Sequence, residues 1–176
     1  MTTGLFVGRF QPFHKGHLET AKFALKSVDT LVIVIGSAQK SHEMRNPFTA
    51  GERVMMIKAS LDAEKSVDAC RVLIVPVPDV DVHALWTRQV DTLVPAYEVV
   101  FANDPFTLLL FRERGVTTVE APLFERSRMM ATEVRRRMAE GEDWKELVPE
   151  PVAGVIKAIY GEERVKAVVA QHDRRH

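Results

Sequence analysis

Gly8-Arg9-Phe10-Gln11-Pro12-Phe13-His14-Lys15-Gly16-His17 decides how this chain reads. The stretch follows a short apolar run, Leu5-Phe6-Val7, that predicts a first β-strand. It precedes apolar residues at helical spacing: Leu18, Ala21, Leu25 and Val28. Two glycines, an arginine and two histidines therefore stand at a strand-to-helix turn. In an open α/β sheet such a turn holds phosphates, because unpaired backbone N–H groups and the helix dipole both favour an anion. Gly8 and Gly16 let backbone approach a ligand closely. His14 and His17 share one side of the first helical turn. Neutral or protonated, an imidazole can donate a hydrogen bond to a phosphate oxygen. Two histidines alone would read as surface residues in a loop; with the strand, the glycines and Arg9 beside them, a phosphate site is the stronger reading. Zinc is the weaker one, because His42 and His83 supply no close ligand pair.

Outward from this stretch, apolar β-rich runs alternate with helical patterns. Strands are expected at Leu5–Val7, Leu31–Ile35, Val72–Val75, Val99–Ala102 and Val116–Val119. Helices are expected from Lys15 to Val28, from Thr49 onward through Leu61, from His83 to Leu93 and from Thr107 to Arg114. Thr49-Ala50-Gly51-Glu52 fits a capping box. Strands that are continuously apolar and alternate with helices predict an α/β fold: a doubly wound parallel sheet with helices on both faces. Past residue 122 the pattern turns helical, with short helices at Thr132–Ala139, after Pro151 and at Glu162–Ala170. One domain, residues 1–176, with a helical C-terminal part over about 130–170, is expected.

The chain has 176 residues, 46% of them hydrophobic and 27% charged, as in a soluble globular protein. Lys plus Arg and Asp plus Glu both number 24, so bulk charge draws the chain to neither nucleic acid nor a membrane, and any anion site must be local. The single cysteine, Cys70, excludes an intrachain disulfide and a cysteine-based zinc site, and its apolar neighbours predict a buried thiol. No secretory signal and no run long enough for a bilayer is visible, so a cytoplasmic protein is expected.

Three further groups could carry chemistry. Gly36 and Ser37 end the second strand, which sets them beside the first turn if strands one and two pair. Thr132-Glu133-Val134-Arg135 opens a helix whose N–H groups and Thr132 hydroxyl could hold phosphates, with Arg135 one turn further on. Arg135-Arg136-Arg137 could instead be a solvated basic face or an RNA patch, though it lacks interleaved aromatics. In Pro78-Asp79-Val80-Asp81-Val82-His83-Ala84-Leu85-Trp86, Trp86 could stack on a flat ring; alone, the segment would read as a core tryptophan behind a helix-start aspartate. Phe124-Glu125-Arg126-Ser127-Arg128 is a charged loop, either a cover for a ligand or plain surface.

His14-Lys15-Gly16-His17 resembles the H-x-G-H motif of the nucleotidylyltransferase superfamily, a group with a Rossmann-like fold. With Gly8, Arg9, Phe10 and Gln11-Pro12 the stretch is similar to the archaeal type of nicotinamide mononucleotide adenylyltransferases. Gly36-Ser37-Ala38-Gln39, Arg45-Asn46-Pro47-Phe48-Thr49-Ala50-Gly51-Glu52-Arg53 and Thr132-Glu133-Val134-Arg135-Arg136-Arg137-Met138 match in the same order. The resemblance implies adenylyl transfer from ATP to nicotinamide mononucleotide, giving NAD and pyrophosphate. It implies His14, His17, Arg45 and Arg135 as catalytic residues. Gly8, Arg9, Phe10, Gly16, Thr132 and Arg136 would bind ATP phosphates. Gly36, Ser37, Asp79, His83 and Trp86 would bind the mononucleotide. Mg²⁺ would arrive mainly on the ATP phosphates, with no protein metal ligand assigned. A cytoplasmic homo-oligomer, commonly a hexamer, is implied as well. Two positions depart from the pattern. His83 stands for an asparagine, which could shift preference toward the nicotinate form, and Met130 stands for a serine, which removes a hydroxyl. Adenylyl transfer to another phosphorylated acceptor, such as a flavin mononucleotide, and a non-catalytic nucleotide- or RNA-binding module on the same fold remain open at this point.

Overall fold

All five apolar runs form strands. The structure is a computed structural model that describes residues 1–122 and 130–174. Its residues group into two units. The first comprises Met1–Arg9, Glu19–Ala38 and Lys65–Leu123; the second comprises Phe10–Leu18, Gln39–Glu64 and Phe124–His176.

The first unit carries one parallel sheet of β1 (Thr3–Gly8), β2 (Thr30–Ile35), β3 (Val72–Pro76), β4 (Val99–Ala102) and β5 (Thr117–Glu120), in the order β3-β2-β1-β4-β5. The sheet is the doubly wound, Rossmann-like one expected, and its strand order reverses at β1. The pairing of β1 with β2 runs from Thr3↔Thr30 to Gly8↔Ile35, so the ends of these strands lie side by side. Central β1 and β2 are buried along nearly their whole length, whereas edge strands β3 and β5 are half-exposed. On one face Leu5, Val7, Val32, Val34 and Val100 pack with Val90 of α3 (His83–Leu93) and with Leu108 and Phe111 of α4 (Pro105–Arg112). Each buried side chain of this size contributes roughly 1.5–3 kcal/mol. Gly4 is required by close approach: a Cβ there would stand 2.9 Å from the Phe101 ring. Helix α4 begins at Pro105, earlier than the Thr107 start expected, because Asp104 accepts the Thr107 N–H as N-cap and proline suits the first helical position.

Cys70 corrects the sequence reading. It is exposed, on a single 3-10 turn (Ala69–Arg71) ahead of edge strand β3, and not buried. An apolar run that follows a residue says nothing about the turn on which that residue sits.

The second unit holds α2 (Ala50–Ala63), α5 (Ala131–Glu140), α6 (Glu150–Ala158) and α7 (Gly161–Asp173), with the opening turn of α1 (Lys15–Leu25). Helix α2 packs on α6, and α7 on both α5 and α6. Gly161 permits one of these contacts, since a Cβ would lie 2.9 Å from both Phe48 and Ile156. Arg164 of α7 donates to Glu52 at 2.6 and 2.8 Å and to the Pro47 carbonyl at 3.2 Å, tying α7 to the start of α2. Among the described residues no helix is long and apolar enough to cross a membrane.

Candidate active site

The loops at the carboxyl ends of β1, β2, β3 and β4 line a cavity of about 370 Å³ in the first unit. A doubly wound sheet places its ligand crevice at that end, near the point where strand order reverses. The Gly36 N–H donates to the Gly8 carbonyl at 2.9 Å. Ser37 takes a left-handed φ of 49° and sends its hydroxyl to Asp79 at 3.1 Å. A left-handed serine is uncommon and marks a turn the surroundings must hold. Trp86 donates its Nε1–H to the Pro78 carbonyl at 3.2 Å and meets Phe111 edge-on, so the indole is fixed in place. His83 stands edge-on to Phe106, their centroids 5.7 Å apart, and Phe106 is 50% exposed. Arg9, Asp79, His83 and Trp86 thus line one cavity with Gly8, Gly36 and Ser37.

Asp104, Phe106, Thr107 and Leu110 complete that wall, and sequence reasoning missed all four. A signal existed for Asp104: an Asp-Pro directly after a strand marks a helix N-cap at a strand end facing the crevice. Its carboxylate accepts from the Thr107 N–H and hydroxyl at 2.9 and 2.6 Å. The half-exposed Phe106 ring left no such sign.

In the second unit the histidine turn has an unexpected geometry. His14 precedes the first residue of α1, and His17 is that helix's third residue. The His17 N–H donates to the Nδ1 of His14 at 3.3 Å, and the His14 N–H donates to the Nδ1 of His17 at 3.2 Å. The two histidines form a capping box, a role usually held by Ser or Thr with Glu or Gln. A backbone N–H can only donate, so each Nδ1 is the bare nitrogen and each ring proton sits on Nε2. The rings stack 3.5 Å apart, with His17 also against Phe10 and Phe13. Burial pushes the His14 pKa down to about 3. Burial, with the neighbouring His14 adding to it, holds His17 well below the ordinary range. Both imidazoles are therefore neutral near pH 7, and each carries an Nε2–H donor that the cap does not use.

The turn between β1 and the histidines is tightly held. Phe10 is left-handed with φ 52° and buried. The Gln11 side chain, 2% exposed, donates to the Phe48 carbonyl and accepts the Phe48 N–H, both at 2.9 Å. Arg135 donates to the Gln11 carbonyl at 2.7 Å and lies 3.5 Å from the Thr132 hydroxyl. The second unit thus brings Phe10, His14, Gly16 and His17 onto one turn and ties Arg135 to it. Helix α5, which carries Thr132 and Arg135, has Met130 as N-cap and no side-chain cap there. Arg45 is exposed on the loop leading into α2. Arg136 is engaged by Glu133, Glu140 and Glu142, and Arg137 by Glu133 and Glu146. Hydrogen bonds from Arg136 and Arg137 hold the Glu133 pKa down to about 2. Arg136 and Arg137 of the basic run are therefore engaged by carboxylates of α5 and of the segment after it. The Phe124–Arg128 loop lies outside the described residues.

A family model described as cytidylyltransferase-like matches residues 5–137. Among curated proteins, a nicotinamide-nucleotide adenylyltransferase of Pyrococcus furiosus is 48% identical over 166 residues, 94% of this chain and 88% of the relative. A protein of the same name from Saccharolobus solfataricus is 44% identical over 169 residues, 96% of this chain and 98% of the relative. Among solved structures, a bifunctional NMN adenylyltransferase/ADP ribose pyrophosphatase of Francisella tularensis, complexed with AMP and a Mn ion, matches with a TM-score of 0.74 at 24% identity. That match covers 98% of this chain and 53% of the other, so this chain spans about half its length, and the likeness is one of fold.

Proposed function

Since this chain belongs to the cytidylyltransferase-like family, alongside curated nicotinamide-nucleotide adenylyltransferases of nearly equal length, we propose that it joins ATP to nicotinamide mononucleotide, giving NAD and pyrophosphate. An oxygen of the mononucleotide 5′-phosphate bonds to the α-phosphorus of ATP, and the bond from that phosphorus to the β-bridging oxygen breaks. A phosphomonoester's second pKa is about 6, so the nucleophile is already largely ionised and needs no general base. What the protein must supply is positioning and donors aimed at the phosphate oxygens.

The observation that carries this reading is the reciprocal histidine box. It fixes both rings with their protons on Nε2 before any substrate arrives, so little reorganisation is needed as charge develops on the phosphates. We assign His14, His17, Gly16, Arg45, Thr132 and Arg135 to the ATP phosphates, with Gly8, Arg9 and Phe10 at the head of the turn. The engagement of Arg136 by three glutamates gives it the smallest share in that task. We assign the cavity lined by Gly36, Ser37, Asp79, His83 and Trp86 to the mononucleotide, its pyridine ring against Trp86. Asp79 and Asp104 both line that cavity. Arg9 and His83 line it as well, so the cavity holds groups of both signs.

Among the described residues no group of three or more His, Cys, Asp or Glu could hold a metal ion. The histidine turn offers neutral imidazoles and a guanidinium, which is anion-binding chemistry. Mg²⁺ therefore fits as an ion carried on the ATP phosphates, where it supplies charge neutralisation. We place the enzyme in the cytoplasm as a homo-oligomer.

Pyrophosphate release from ATP, followed with nicotinamide, nicotinate and flavin mononucleotides in turn, tests the assignment. Release is expected with the nicotinamide form. Release with the flavin nucleotide alone, or with none of the three, overturns it.

A further inference from the structure

Gln11 joins three segments of the second unit. Its side-chain amide makes two hydrogen bonds, at 2.9 Å each, with the backbone of Phe48, 37 residues away. Its own carbonyl accepts from Arg135 at 2.7 Å, across 124 residues. Its chain neighbour Phe10 holds a left-handed backbone and packs against the His17 ring, with centroids 4.8 Å apart. Phe48 in turn sits beside Pro47, whose carbonyl takes the Arg164 guanidinium, and beside Thr49, which opens the capping box of α2. A strained turn persists only where its surroundings over-determine it. The two bonds to Phe48 and the bond from Arg135 are fixed points of this turn.

We infer that Gln11 is a positioning residue for adenylyl transfer: by clipping the Phe10–Phe13 turn to the Phe48 backbone and offering its carbonyl to Arg135, it sets the direction of the His14 and His17 Nε2–H donors. The inference rests on the reading above, in which those donors meet ATP phosphates. The histidine rings hang on a single helical turn, and each is oriented by the backbone of the other. A shift of the preceding turn rotates both together. Misplacement by about 1 Å can lower a rate 100-fold. A glutamine suits the task because one planar amide satisfies both the N–H and the carbonyl of a buried residue, which leaves no polar group of Phe48 orphaned.

Gln11→Met keeps length and flexibility and removes both bonds. Gln11→Glu keeps an acceptor for the Phe48 N–H and loses the donor to its carbonyl. In steady-state assays of NAD formation, Gln11→Met is expected to lower kcat about 10- to 100-fold, with KM for the mononucleotide changed by less than about twofold. Gln11→Glu should fall between it and the wild type. Nitrogen NMR of the imidazoles gives a readout independent of turnover. The wild type should show both rings as the neutral Nε2–H tautomer, and Gln11→Met should show tautomer exchange. A folded Gln11→Met protein with wild-type kcat, with kcat and mononucleotide KM impaired alike, or with unchanged imidazole signals overturns the inference. If Gln11→Met does not fold, Gln11→Glu decides by the same measures. Should the wild type form no NAD at all, the functional reading fails, and the imidazole signals still decide whether Gln11 directs the rings.

Discussion

Two helices of the second unit begin with the same device built from different residues. At α2, Thr49 accepts the Glu52 N–H at 3.2 Å and Glu52 accepts the Thr49 N–H at 2.9 Å. At α1, His14 and His17 exchange the same two bonds through Nδ1 atoms. Both boxes satisfy orphan N–H groups of a first turn. They differ in what they leave over. The Glu52 carboxylate turns inward and is claimed by Arg164. Each imidazole instead carries its proton on the far nitrogen, Nε2. A carboxylate beside a triphosphate would repel it, whereas an imidazole caps the helix and still presents N–H to an anion. One box fastens the fold; the other does that and, in the proposed function, also aims donors at the ATP phosphates.

His17→Glu separates the two duties most sharply. It rebuilds the α2 type of box at α1, with an acceptor in place and no donor left. The helix should persist by circular dichroism while kcat falls by more than about 100-fold, the usual loss when one oxyanion donor goes. His17→Ala should lose about 100-fold without adding the repulsion. Near-wild-type turnover in either variant would strip the histidine box of its catalytic role.

Acid should divide the boxes next. Unfolded histidines take up protons from about pH 6.5, whereas folded His14 does not until about pH 3. In that window the unfolded state binds more protons, so stability falls as pH falls, by up to about 1.4 kcal/mol per pH unit for each such histidine. Glu52 behaves differently. Burial raises its pKa, but the bonds from Arg164 and Thr49 outweigh burial and hold it below the ordinary value. Its contribution is present above the ordinary carboxyl range and is lost only as pH falls through the depressed value. Urea midpoints between pH 7 and 5 should therefore drop in the wild type and drop less steeply in His17→Ala. A flat wild-type profile would contradict neutral, buried histidines.

The sheet unit supplies a contrast in kinetics. Trp86→Ala should raise the mononucleotide KM about tenfold, in line with the roughly 1–3 kcal/mol typical of stacking on one base, and change kcat little. An unchanged mononucleotide affinity by titration would remove the indole from the ring site. Thr49→Ala, in turn, should cost about 1 kcal/mol, lower Tm by about 2–4 °C and leave kcat within about twofold. A large loss of turnover there would mean that the α2 box is more than a fastener.

The difference between the boxes also marks what the sequence could tell. Thr49-x-x-Glu52 was legible because the motif belongs to the capping alphabet. His14-x-x-His17 was legible as a phosphate turn from its setting after β1, but its cap was not, because nothing local says where Nδ1 points. The parallel α/β sheet followed from the alternation of strands and helices, but the strand order did not. Neither did which strands are edges, since Val72–Val75 is as apolar as the buried runs, and this also hid the exposure of Cys70. Gln11 could be seen only as part of a motif, because its partners lie 37 and 124 positions away.

A third helix start completes the comparison. At α5 the N-cap Met130 already has extended N-cap dihedrals, φ −118° and ψ 139°, but no oxygen to accept an N–H. Met130→Ser supplies one on a backbone that needs no change. It should stabilise the ligand-free protein by about 0.5–1 kcal/mol, a Tm gain of about 1–3 °C. If the same N–H groups hold phosphates, ATP competes for them and the gain should shrink when thermal unfolding is repeated with saturating ATP. A gain of equal size with and without ATP would take the start of α5 out of the phosphate site.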